Sequence, residues 1–408
     1  MSERSRLWWE EITGPSQLVR TMAQELRMGR SVFLSAPDDL PWRSQMRSSV
    51  ECVLRESDPD LLVDYIDCQT DCPYDAKGNI DVSSFLLDRY AYPEIKNGYR
   101  RSSGLSIQQY MMKHGVLRNR VVWVKGMSPQ HVQNWLSFCK DHRPRAASDG
   151  LFVIECHEDS SQRRAAAGMK LLFYKDFVSY YDALLFNNML AAPLQRFSLE
   201  WKQYLSTTAA LLCGCDVELA GALLEDIRLN PDTPAPLPAL LQIAEEQRGG
   251  KRYCADFLDP EHPFLLVRDG NFDKLSELLW KGQLQTIFPL LEYERIGLIR
   301  CYEDDIRAGL QEPYLDPKKQ EPRYITQLDE RVLDPKDAEI GTLYRMNHLR
   351  MFQDPSLYLL FLPESGDRER LDLLHRVRNA IAHLVPCPPE EIAAFLDGYP
   401  YHWQGCRF

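Results

Sequence analysis

Apolar and polar positions alternate along the first half in blocks of strand length. Five apolar runs recur, "SVFLSA" (31 to 36), "LLVDYIDC" (61 to 68), "RVVWVKG" (120 to 126), "GLFVIECHE" (150 to 158) and "LLFYKDF" (171 to 177). Between them lie helical stretches such as "SQMRSSVECVLRES" and "SPQHVQNWLSFCKDH". Short β-rich runs alternating with helices predict a parallel sheet covered by helices on both faces. In such a sheet, ligands bind at the carboxyl ends of the strands. The pattern then changes. Residues 199 to 227 read as two helices around a Gly-Cys-Asp turn, with Trp201, Tyr204, Leu205, Leu211 and Leu212, then Leu219, Leu223 and Leu224, at helical spacing. "NPDTPAPLPALL" (230 to 241) is expected to break regular structure and join units. From about residue 270 the periodicity is helical over 274 to 310 and 336 to 353, with no convincing strand pattern. The fold class is therefore α/β plus all-α.

The last third carries the stretch "HRVRNAIAHLVP" (375 to 386). A helix is expected to begin near Ser365 or Asp367, either of which can cap it, and to stop at Pro386. Pro389 opens a final short helix that ends near Gly398. At 100° per residue, Leu373, Leu374, Val377, Ile381, Leu384 and Val385 fall on one arc. His375, Asn379 and His383 form a ridge on the opposite side, with Arg378 at the boundary and Arg376 along the polar face. Two imidazoles, an amide and two guanidiniums in one region suit a phosphodiester substrate. A solvated helix face presents the same residue types, and Arg370 stands at the same spacing from His375 without an Asn beside it. His402 in "YPYHWQG" is expected to pack against its aromatic neighbours.

Composition narrows the choice. With 408 residues, 44% hydrophobic and 26% charged, the chain suffices for two or three domains with their own cores. A net charge of −11 excludes a surface that is basic throughout, so nucleic-acid contact has to come from a local patch or an assembled interface. The polar start "MSERSRLWWEEITGPSQ" and the lack of a long apolar run point to a soluble cytoplasmic protein with no membrane association. Eleven cysteines show no zinc-finger spacing, although three residues separate Cys68 from Cys72, so reduced thiols and no metal site are expected. "RYAYPEIKNGYRRSSG" (89 to 104) interleaves tyrosines with Arg and Lys, as a nucleic-acid surface or a long loop does.

The order of the first-half pieces resembles the core of the AAA and STAND classes of P-loop ATPase over roughly residues 15 to 180. A working Walker A needs two glycines, a lysine and a hydroxyl. The corresponding loop reads "SAPDDLPWRSQ". Aligning Arg43 and Ser44 with the Lys-Ser/Thr pair leaves Pro37 and Trp42 at the glycine positions, and Asp38 and Asp39 repel polyphosphate. The strand in the Walker B place ends in Lys125 and Gly126, and the next in Glu155, Cys156 and His157 instead of a Ser/Thr-Arg sensor pair. The resemblance thus implies a P-loop NTPase-like domain without Walker motifs over 1 to 190, with no ATP hydrolysis. Arg43, Ser44 and Lys125 remain candidates for contact with another anion. A helical lid or linker over 191 to 262 fits those ATPases, and a plain helical subdomain fits the same residues.

Residues 263 to 408 resemble the HEPN superfamily of helical bundles, whose ribonuclease members carry Arg, four to six residues, then His, often with a polar residue after the Arg. Arg378, Asn379 and His383 match that pattern. The resemblance implies metal-independent RNA cleavage by attack of the ribose 2′-hydroxyl on the neighbouring phosphate, without a cofactor. His383 would move the proton, Arg378 would stabilise charge on the phosphoryl oxygens, and Asn379 would orient either, with His375 and Arg376 in support. It also implies an RNA substrate, a homodimer through the HEPN-like domain and a regulatory protein partner, as in bacterial antiviral defence or toxin systems. A non-catalytic adaptor of a larger complex is the rival reading.

Overall fold

The computed structural model describes all residues except 1, 76–77, 101–103, 128, 143–146, 158–167, 230–233, 249–257, 259, 317–320, 328 and 405–408. The chain divides into two compact units. The first comprises Met1–Phe186, Gly214–Glu218 and Gln247–Leu265, and the second Asn187–Cys213, Leu219–Glu246 and Leu266–Phe408.

The first unit is built on five parallel strands, β1 (Ser31–Ala36), β2 (Leu62–Asp67), β3 (Arg120–Met127), β4 (Leu151–His157) and β5 (Met169–Phe173). Their order across the sheet is β2-β3-β4-β1-β5. β1 is buried along its whole length and pairs with β4 and β5, with Phe33 opposite Ile154 and Leu171. Val121, Val122, Trp123 and Val124 of β3 and Phe152, Val153 and Ile154 of β4 are likewise buried, as expected of strands covered on both faces. Each of the five anticipated runs holds a strand, but the last stops at Phe173 and gives way to a 3-10 turn over Tyr174–Asp176. Arg43–Ser57 and Pro129–Asp141 are helices, as their periodicity predicts. β1, the loop over 37–42 and the helix Arg43–Ser57 follow the strand, loop, helix layout of a P-loop. Residues 89 to 104 are not one long loop, because Pro93 at the first helical position starts a turn of helix over Pro93–Gly98. Residues 101–103 of that stretch lie outside the described residues.

The second unit is mainly helical. Leu199–Cys213 packs closely along Phe272–Cys301, where Gly282 admits Thr208: a Cβ at Gly282 would stand 2.7 Å from Thr208 Oγ1. Leu205, Leu212, Ile287, Leu291, Leu374 and Phe395 belong to one continuous core.

Several expectations are corrected in this unit. Residues 236 to 241 do not break structure but open the helix Pro236–Arg248, Pro236 taking the first position, where its missing N–H costs nothing. The helical run expected over 274 to 310 divides into Phe272–Cys301 and Glu303–Gln311 at Tyr302, whose hydroxyl donates to buried Asp367 at 2.5 Å. Two short hairpins interrupt the helices, β6 (Tyr314–Leu315) with β7 (Pro322–Arg323) and β8 (Thr326–Gln327) with β9 (Glu330–Arg331). Two-residue strands are too short to leave a period-2 signal. Asp367 caps no helix; it is fully buried and accepts from Tyr302, Tyr401 and the Gln404 amide. His402 is exposed, and neighbouring Trp403 takes the buried position. Cys301 is disulfide-bonded, against the expectation of reduced thiols throughout.

Gly309 marks the closest backbone approach: a Cβ there would fall 1.9 Å from the Leu359 carbonyl oxygen. Gly309→Ala is therefore expected to cost about 1–3 kcal/mol by forcing Glu303–Gln311 off that backbone, despite alanine's better helix propensity. Thermal unfolding of the variant measures this, and an unchanged midpoint would contradict it.

Candidate functional site

Among the described residues, the anticipated site residues gather in two places, one in each unit. The first lies at the carboxyl edge of the sheet. Arg43 opens the helix Arg43–Ser57, and Arg47 stands one turn on, so both guanidiniums share a face. They converge on Glu155 of β4, which is 2% exposed. Arg43 Nη1 donates to Glu155 Oε1 at 2.7 Å, and Arg47 donates from Nη2 to Oε1 at 2.8 Å and from Nε to Oε2 at 2.9 Å. Trp123 Nε1 adds a fourth bond to Oε2 at 2.8 Å. Burial alone pushes the Glu155 carboxyl up, but the bonds from Arg47 and the charges of Arg43 and Arg47 outweigh it and hold it at about 2.

On the neighbouring strands, Lys125 Nζ donates to Asp67 Oδ2 at 3.0 Å. Gly126, at φ +66°, lets the backbone pass that carboxylate, since a Cβ would fall 2.5 Å from Asp67 Oδ1. The cavity enclosed measures about 310 Å³, and its charged lining is Arg43, Arg47 and Lys125 against Asp38, Asp67 and Glu155. Cations and carboxylates balance. A polyphosphate entering this cavity has to compete with the bonds holding Glu155.

The amide at the start of the helix is engaged as well. Trp42 takes the left-handed conformation (φ 41°) that glycine usually supplies, and its N–H donates to the Glu218 carboxylate. A helix N-terminus binds anions through such amides, and here a carboxylate of the same unit occupies one. Of the three residues anticipated to touch an anion, Arg43 and Lys125 line the cavity. Ser44 does not: it is exposed on the helix's outer side, its carbonyl accepting from Ser48 Oγ at 3.2 Å. Arg47 was not anticipated, although its position four residues after Arg43 was a readable signal.

The second place lies on the helix Ser365–Ala382. Arg378 Nη2 donates to Glu339 Oε2 at 2.9 Å, and Gln327 Nε2 donates to the other oxygen of Glu339 at 2.8 Å. Arg378 Nη1 reaches Asn379 Oδ1 at 3.3 Å, and Asn379 Nδ2 donates to His375 Nε2 at 2.9 Å. An amide donating to Nε2 fixes neutral His375 as the tautomer with its proton on Nδ1. The ring is further held by stacking on Tyr344, with centroids 3.8 Å apart and planes 10° from parallel. Burial, then the Arg378 charge, lower the His375 pKa and keep its imidazole neutral.

The helix ends earlier than expected. Ala382 is its last residue, and Leu384 turns left-handed at φ 61°. The Leu384 N–H donates to the Ile381 carbonyl at 3.2 Å and the Val385 N–H to the Ala380 carbonyl at 3.0 Å, a Schellman closure. Leu384 and Val385 therefore leave the apolar arc and are 69% and 54% exposed, while Leu373, Leu374, Val377 and Ile381 stay buried. His383 becomes the C-cap, its N–H donating to the Asn379 carbonyl at 3.0 Å. Its side chain is exposed and, among the described residues, makes no hydrogen bond or ion pair. Arg376 lies apart and pairs with Glu391 at 2.8 Å. The structure thus joins Arg378, Asn379 and His375 directly, and leaves His383 and Arg376 outside that chain of bonds. Arg378 also borders a cavity of about 240 Å³ where Arg295 and Lys336 face Glu292, Asp337 and Glu339.

Among the described residues, no helix is long and apolar enough to cross a membrane. No family model matches this sequence, and no curated protein is similar to it. Among solved structures, the crystal structure of Cdc6p from Pyrobaculum aerophilum is similar at 12% identity, covering 71% of this chain and 73% of that chain with a TM-score of 0.31.

Proposed function

We propose that the chain is a metal-independent, HEPN-type endoribonuclease effector whose α/β unit regulates it without hydrolysing ATP. One observation carries the reading: Arg378, Asn379 and His375 form a bonded array on the accessible face of one helix, with His383 open to solvent at its end. Arg378 has the planar donor fork suited to phosphoryl oxygens, and its pair with half-exposed Glu339 is of the kind worth under about 1 kcal/mol, so a phosphate can displace it. His383 is unencumbered and exchanges the proton of the 2′-hydroxyl or the leaving oxygen. Asn379 ties Arg378 to His375 and keeps both in register. An RNA substrate, a second copy that completes the cleft and a restraining protein partner belong to the same proposal. Bacterial antiviral defence or a toxin system is the setting in which such an effector would act.

The test is incubation of the purified protein with total RNA and a tRNA pool in EDTA, alone and with its native partners. Cleavage is expected to survive chelation and to fall about 10²-fold in His383→Ala and in Arg378→Ala. The adaptor reading has its own observation: Arg378 and Arg376 are each paired to a carboxylate, Glu339 and Glu391. If RNA stays intact with partners present while His383→Ala leaves complex assembly unchanged, the adaptor replaces the nuclease.

A further inference from the structure

We propose that the cavity at the carboxyl edge of the sheet binds a free α-amino acid, held as its zwitterion against the Lys125–Asp67 pair. Lys125 of β3 and Asp67 of β2 stand directly opposite each other on neighbouring parallel strands. On the other side of β3 the register breaks. Val124 pairs with Ile154 but Met127 pairs with Cys156, so β3 carries one extra residue over Lys125–Gly126. Such a bulge re-aims a side chain, and bulges are over-represented beside functional sites. This one stands at the carboxyl ends of the strands, where parallel sheets take their ligands.

The charges decide what can enter. Glu155 is closed off, buried and accepting from Arg43, Arg47 and Trp123. Lys125 and Asp67 are the accessible pair, with side chains 31% and 30% exposed and Nζ 3.0 Å from Oδ2. A polyphosphate finds no surplus of positive charge, because the three cations of the lining face three carboxylates. A bare cation meets the same balance with the sign reversed. A ligand that carries both charges is opposed by neither.

In an α-amino acid the ammonium nitrogen and the nearer carboxylate oxygen lie about 3 Å apart, which matches the separation of Lys125 from Asp67. Laid antiparallel beside that pair, the ligand sets its carboxylate on Lys125 and its ammonium on Asp67. Each charge then gains a second opposite neighbour, and the existing bond survives. Both protein groups have capacity left. An ammonium has three donors, and the Asp67 carboxylate is engaged by Lys125 and by the Gln69 amide at 3.0 Å out of roughly four acceptor sites. Gly126 keeps that carboxylate uncovered, since a Cβ would stand 2.5 Å from Oδ1. At about 310 Å³ the cavity is at the small end of ligand pockets, which suits a molecule of this size, with Met127 and Cys156 beside its side chain. The site lies within the α/β unit and does not depend on the nuclease reading.

Isothermal titration of the full chain with each standard L-amino acid, with inorganic phosphate and with ADP tests the proposal. At least one amino acid is expected to saturate a single site. For that amino acid, its deaminated acid and its decarboxylated amine are each expected to bind about tenfold more weakly or worse, because one charge-assisted contact is lost. Lys125→Met and Asp67→Asn are expected to weaken the amino acid by a similar factor. The proposal is overturned if no amino acid saturates the chain at millimolar concentration, or if either single-charge analogue binds as tightly as the zwitterion. It is equally overturned if phosphate or ADP binds where amino acids do not, which assigns a plain anion site, or if both folded variants bind as the unaltered chain does. Should a variant fail to fold, the analogue series on the unaltered chain decides.

Discussion

Glu155→Ala is expected to weaken the α/β unit by about 3–5 kcal/mol, because it strands Arg43 and Arg47 in a site built around one buried carboxylate. Four hydrogen bonds converge on that carboxylate, and removing it leaves each of those donors to find water or another acceptor. Glu155→Gln keeps the shape and two of the lone-pair sites but loses the charge, so its cost is expected to be smaller. Hydrogen exchange at the β1 and β4 amides reads this unit apart from the helical one. Unchanged protection in Glu155→Ala would show that the arginines have other partners at hand.

The same carboxylate sets an acid limit. Its pKa lies at about 2 in the folded protein against an ordinary 4.5, so the folded state prefers the ionised form. That preference is fully present above pH 4.5 and is lost as pH falls toward 2, a contribution of about 3 kcal/mol. The acid sensitivity of β4 exchange is expected to be blunted in Glu155→Gln.

Arg370→Ala is expected to destabilise the helical unit by a comparable amount, about 3–5 kcal/mol. Arg370 and Glu294 have side chains only 5% and 3% exposed, bonded in a bidentate pair at 2.7 and 2.5 Å. The guanidinium also donates to the Phe395 carbonyl at 3.1 Å and lies over the Phe395 ring at 4.7 Å. Truncation leaves the buried Glu294 carboxyl without its cation and with the Tyr401 amide as its remaining donor among the described residues. Lysine lacks the planar fork, so Arg370→Lys is expected to recover only part of the loss. Replacing both partners with apolar residues, Arg370→Met with Glu294→Leu, is expected to be far milder than either single change, since no uncompensated charge remains. Denaturation of these variants tests this, and a double variant as unstable as Arg370→Ala would assign the effect to packing instead.

The contrast between Arg370 and Arg378 shows how far the sequence could be read. Both arginines stand on the helix Ser365–Ala382 near His375, and spacing alone treats them alike. One is a buried structural anchor and the other reaches an accessible surface, which depends on where Glu294 and Glu339 arrive from distant segments. The early end of the helix has a related cause. A leucine at a left-handed C-terminal position carries no glycine signal, and the apolar periodicity runs on through Val385 to Pro386.

The five strands, the helix after β1 and the helix carrying Arg378 were fixed by local pattern, because β-branched runs, helical periodicity and proline stops are properties of neighbouring residues. The lack of glycines in the loop after β1 was equally plain. Tertiary structure alone decided that Glu155 would gather Arg43 and Arg47, that Glu339 would hold Arg378 while His383 stood apart, and that Lys125 would meet Asp67 at the sheet edge. Those outcomes rest on the meeting of side chains far apart in the chain and on burial that shifts their charge states, neither of which a local pattern encodes.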